Sequence, residues 1–130
     1  MGIRFEKKTK LNWVKQMEEF LRLRLENPQE DIDKEELEEA YQVFLNTDRE
    51  FFRQNNHEVL EVFLKGLSEE QLQPLSSLLF FDGRVNGDSL LLENARYVLE
   101  SHMRITSSMS FEDYQRLSDI STELQRIGSL

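Results

Sequence analysis

Histidine and carboxylate residues at helical spacing are where this 130-residue chain could carry chemistry, and it has only two histidines. His57-Glu58-Val59-Leu60-Glu61 puts His57 and Glu61 on one helical face, where i and i+4 side chains could share a metal ion. Two ligands do not complete a site, and the metalloprotease pattern needs a second histidine where Glu61 stands. His57 therefore reads as a polar first-turn residue. His102 falls on the stripe of Leu91, Leu92, Ala95, Val98, Leu99 and Ile105, where a histidine is usually a hydrogen-bonded core or boundary group. If the chain takes a small ligand or acts as an enzyme, the pocket is expected between helices near His102 and Tyr97.

Asp82 to Glu93 (Asp-Gly-Arg-Val-Asn-Gly-Asp-Ser-Leu-Leu-Leu-Glu) has Asp82, Asn86, Gly87 and Glu93 at the oxygen-ligand and glycine positions of an EF-hand loop. Position 3, however, is Arg84, a cation where calcium needs an oxygen, and Ser89 replaces the usual apolar residue at position 8. The segment is read instead as a turn, with Gly83 ending one helix and Asn86, Asp88 or Ser89 capping the next. Ser68, Ser89 and Ser110 sit at cap positions, not beside a base with an orienting acid. Adjacent glutamates such as Glu35-Glu36 and Glu38-Glu39 diverge on a helix and lack an apolar pocket to raise a catalytic pKa. Neither phosphate-binding glycine pattern occurs. A non-enzymatic protein without metal or cofactor is expected.

Composition narrows the field further. Without cysteine there are no disulfides, thiolate metal sites or thiol nucleophiles. Asp and Glu number 25 against 16 Lys and Arg, a net charge of -9, so the overall field repels nucleic acid. No apolar run approaches a membrane span, and the N-terminal residues lack a signal peptide's apolar segment and cleavage site; Glu6 stands where a myristoylation signal wants Ser or Thr. A cytoplasmic location is expected. Arg4, Lys7, Lys8, Lys10, Lys15, Arg22 and Arg24 make the start of the chain basic. The stretch from Glu26 to Glu39 is acidic, with Lys34 its single cation, and reads as a solvated helix start or as an acidic docking face.

The elements that position these groups are helical. Leu11, Val14, Met17, Phe20, Leu21 and Leu25 recur every three or four residues between about Lys8 and Glu26, with Pro28 as the stop. Asp33, Glu36, Ile32 and Leu37 fit a capping box and staple for a second helix that continues through Ala40, Tyr41, Phe44 and Leu45. A break at Asn46-Thr47-Asp48 precedes Phe51 and Phe52. Asn55 or Asn56 caps a helix carrying Val59, Leu60, Val62, Phe63 and Leu64, which Gly66 is placed to end in a left-handed turn. Ser68-Glu-Glu-Gln71 is a capping box, and Pro74 predicts a kink before Leu75 to Phe81. Two helices follow, one opening at Ser89, the other capped by Ser110 with Tyr114, Leu117, Ile120, Leu124 and Ile127 on its buried face. The expectation is an all-α fold in a single domain, 1-130: six or seven short antiparallel helices in a compact helical-hairpin bundle.

Nine Phe, three Tyr and one Trp complete the signal. Neighbouring side chains on a helix point about 100° apart. Both rings of Phe51-Phe52 or Phe80-Phe81 can thus enter one core only where a helix is packed on two sides. The alternative leaves one ring of each pair at an interface, so the candidate interaction surface is Phe51, Phe52, Phe80 and Phe81 with the acidic Glu35, Glu38 and Glu39.

Asn94-Ala-Arg-Tyr97 followed by Ser110-Phe-Glu-Asp-Tyr114, with Leu67-Ser-Glu-Glu-Gln-Leu72 and the Asp82-Gly83 turn before them, resembles small uncharacterised bacterial tetratricopeptide-like proteins. The resemblance implies a helical-hairpin fold and partner binding, and no chemistry. Three roles fit: an interaction module for a protein partner or a second copy of itself, an acidic inhibitor, immunity-type or antitoxin-type protein neutralising a basic partner, or a small-molecule protein with a pocket near His102.

Overall fold

A computed structural model of the chain describes residues 15–22, 34–54, 56–108 and 110–128, all of them in helices or the short turns between them. They fall into two compact units, one up to Phe51 and one from Phe52 onward.

In the first unit, α1 is the helical stretch 15–22, where Met17, Phe20 and Leu21 are buried. The helix α2, Lys34–Leu45, buries Leu37, Ala40, Tyr41, Phe44 and Leu45 and leaves Glu35, Glu38 and Glu39 exposed. The break after it is present. Asn46 takes a left-handed φ of 53°, a conformation asparagine tolerates better than most residues, and its N–H closes on Gln42 O at 3.0 Å. Asp48 Oδ1 then accepts from Phe51 N and opens a 3-10 turn, Arg49–Arg53. The remainder of the helix read from Lys8 to Glu26, Pro28, the Asp33 cap, Ile32, the Glu36 side chain and Asn55 lie outside the described residues.

The second unit holds α3 (His57–Lys65), α4 (Glu69–Asn86), α5 (Ser89–Thr106) and α6 (Phe111–Arg126). Local caps start them where the sequence placed them: Asn56 accepts from Glu58 N and Val59 N, and Ser68 with Gln71 and Ser110 with Asp113 form capping boxes. Three backbone expectations are corrected. Gly66 ends α3 in a right-handed conformation, φ -82°, because Gly66 N–H and Leu67 N–H turn back to Phe63 O and Leu64 O in a tight final turn. Pro74 does not divide α4. It lies just beyond the first turn, and the carbonyl it leaves without an amide belongs to exposed Glu70, which water can serve. Nor does Gly83 end the helix. The chain stays helical to Asn86, Gly87 makes the left-handed stop at φ 61°, and Asp88 alone caps α5, through Leu90 N and Leu91 N. An EF-hand geometry is thereby lost, since its first five positions are helical.

The helix α4 explains the paired phenylalanines. On one side it meets α5, where Ser76 Oγ donates to Ala95 O at 2.7 Å and Gly83 lies against Leu92. On another it meets α6, through Gln73 with Asp113 and Ser77 with Arg116. A helix covered on two sides buries both Phe80 and Phe81 along with Leu72, Leu75, Leu78 and Leu79. Each such side chain contributes roughly 1.5–3 kcal/mol. The sequence overestimates two other faces: Val62 on α3 is 72% exposed, and Tyr114 on α6 is 60% exposed.

Beyond α3, the 3-10 turn is held by α5. Both amide hydrogens of buried Asn94 go to main-chain oxygens, those of Phe52 and Gln54. Arg53 Nε donates to Asp88 Oδ2, so Asp88 caps α5 with one oxygen and holds the turn with the other. Phe52 then packs edge-on against Phe63, 5.4 Å between centroids.

Candidate functional site

The turn between α5 and α6 and the start of α6 form one wall of an open cleft of about 560 Å³, lined by Gln73, His102, Ser108, Ser110, Phe111, Glu112 and Asp113. That volume is within the range of ligand sites. Its geometry follows from a cap. Ser110 Oγ accepts from Asp113 N–H, and the Asp113 carboxylate reaches back to Ser110 N–H at 3.3 Å. This fixes a buried carboxylate, 2% exposed. Its Oδ1 accepts from Gln73 Nε2 at 2.8 Å, across from α4, and its Oδ2 lies 4.0 Å from His102 Nε2. His102 Nδ1 is out of water and has no hydrogen-bond partner among the described residues. Phe111, 81% exposed, stands at the edge of this polar floor.

Tyr97 does not line this cleft, a correction to the pocket expected near both His102 and Tyr97. Five residues earlier on α5, it faces α3. The His57 ring stacks on it, centroids 4.3 Å apart and planes 25° from parallel, and the Tyr97 hydroxyl donates to Glu61 Oε2. His57 and Glu61 do share a face, but it is spent on a phenol. Among the described residues no group of three metal-ligating side chains occurs. The hydrogen bond to Glu61 is the main reason the Tyr97 phenol titrates above its ordinary value, with burial next and Arg104 opposing. Glu61→Gln is therefore expected to lower the tyrosinate transition that Tyr97→Phe removes, read by ultraviolet absorbance. An unmoved transition would contradict the contact.

The sequence-predicted surface residues separate. Glu35, Glu38 and Glu39 are exposed on α2, and Phe51 is half-buried. Phe52, Phe80 and Phe81 are core side chains and offer no surface. Sequence reasoning missed Gln73, Phe111 and Asp113 as a group. The signal available was Asp113 three residues after Ser110, the reciprocal half of a capping box, which places a carboxylate beside the turn. Gln73 carries no such signal, lying forty residues away.

No family model matches the chain, and neither a curated protein nor a solved structure is significantly similar to it.

Proposed function

We propose that the chain is a non-enzymatic protein interaction module, a tetratricopeptide-like stack of antiparallel helical hairpins whose cleft at the α5–α6 turn grips a basic segment of a protein partner. The observation that carries this reading is the cleft itself: two carboxylates, Glu112 and Asp113, against one imidazole, beside a phenylalanine left in water. A lysine or arginine of the partner finds acceptors at Glu112 and an aromatic face for its stem at Phe111. An exposed aromatic edging a polar floor is the arrangement of an interface anchor. The net charge of -9 and exposed Glu35, Glu38 and Glu39 attract the same class of partner at long range. This unites the interaction-module and acidic-inhibitor readings. Ser110 serves as a helix cap and Asp113 is bonded to Gln73 and Ser110, which favours binding over nucleophilic catalysis.

The test is to immobilise the chain, its Phe111→Ala variant and its Glu112→Gln variant, and compare proteins retained from lysate at low and high salt. Both side chains are exposed, so the fold is expected to survive. The reading expects a basic protein lost at high salt and bound roughly tenfold more weakly by Phe111→Ala. Equal retention by all three proteins would sink it.

A further inference from the structure

The guanidinium carbons of Arg84 on α4 and Arg116 on α6 lie 5.3 and 4.8 Å from the centroid of the same buried ring, Phe80. Arg116 Nη1 donates to Ser77 Oγ at 3.0 Å, a neutral acceptor. Arg84 Nη2 is shut off from water and has no hydrogen-bond acceptor among the described residues. Glu112 and Asp119 attract Arg116 through space, yet burial pushes its guanidinium below the ordinary value, and the like charge of Arg84 pushes the same way. Arg126 on α6 reaches only the main chain of Arg84, its Nη2 donating to Arg84 O at 3.4 Å, while its Nε pairs with Glu123. In a chain of net charge -9, two guanidiniums thus share one ring with no carboxylate bonded to either among the described residues.

Holding like charges together with an unfilled buried donor is costly unless something supplies the missing acceptors. Aspartate and glutamate do so in most proteins, whereas here the structure leaves the donors of both forks underused. Carboxylate and phosphate groups alike present two oxygens at the spacing of a guanidinium fork. We propose that Arg84 and Arg116, which share the Phe80 ring, form a binding site for an oxyanion, a phosphate or carboxylate group of a small ligand. The site is distinct from the α5–α6 cleft in both its residues and its charge, and does not depend on the function proposed for that cleft.

The experiment follows the arginine Nε–H resonances of the full chain by NMR during titration with inorganic phosphate, and separately with succinate, at an ionic strength held constant with chloride. The proposal expects saturable shifts at Arg84 and Arg116, larger than at Arg126. Phosphate shifts alone would identify a phosphate ligand, and succinate shifts a carboxylate one. Arg84→Lys and Arg116→Lys keep charge and remove the fork, and each is expected to weaken binding tenfold or more, with circular dichroism confirming that they remain folded. If neither anion gives a saturable shift beyond chloride, or if both lysine variants titrate like the parent, the proposal is wrong.

Discussion

Asn94→Ala is expected to lower the stability of the chain by about 2 kcal/mol, since it removes two hydrogen bonds made by a buried amide, each worth about 0.5–1.5 kcal/mol. Asn94 is 2% exposed, and its amide donates to Phe52 O and Gln54 O, main-chain groups at the end of the 3-10 turn. Asn94→Asp sharpens the test, because a carboxylate would oppose its oxygens to two carbonyl oxygens. Only its protonated form could donate, so its folded pKa should lie above the unfolded value of about 4. The stability that the proton confers is then present below that value and lost as pH rises through the folded pKa. Urea denaturation midpoints measure both variants. A midpoint for Asn94→Ala equal to that of the parent would show that the turn is not held from α5.

Gly83→Ala carries the second-largest effect, with a sign opposite to the one helix propensity assigns. Glycine inside a helix is worse than alanine by roughly 1 kcal/mol, so for a residue within α4 helix propensity alone has the change stabilise. The structure places an added Cβ 2.7 Å from Leu92 Cγ, near the root of that side chain, and 3.1 Å from Asp88 O, which is main chain. Neither can give way cheaply. Overpacking costs typically about 1–3 kcal/mol, and α4 and α5 must separate where Asp88 caps one helix and holds Arg53. A net loss of about 1–2 kcal/mol is expected. Combining Gly83→Ala with Leu92→Ala should cost less than the sum of the two, a favourable coupling that a double-mutant cycle reads directly. A raised melting temperature for Gly83→Ala would contradict the close approach.

Those two residues also show what the sequence could and could not disclose. Caps were legible because a cap is a contact across three residues: Asn56, Ser68 and Ser110 start their helices as read. Gly83 misled because its local meaning, a stop, was overridden by tertiary surroundings that no window of sequence contains, whereas Pro74 is simply carried inside a helix that runs on through it. At Gly83 the reason for glycine is Leu92 on the next helix. Phe80 and Phe81 were undecided between core and surface for the same reason, since the answer depends on how many neighbours cover α4. The cleft was half legible. His102 was placed in it, while Tyr97 was assigned to it and belongs to α3's partner face, and Gln73 and Asp113 meet only through the packing of α4 and α6.

The central claim is that the α5–α6 cleft takes a cationic segment. The most direct measurement is a titration of the isotopically labelled chain with a capped tetra-arginine peptide, following the Gln73 side-chain amide, the His102 ring and the main chain around Phe111 to Asp113. The account predicts saturable shifts at these groups, weakened by added salt and largely abolished by Phe111→Ala. Shifts confined to Glu35, Glu38 and Glu39 on α2, or unaffected by Phe111→Ala, would contradict it.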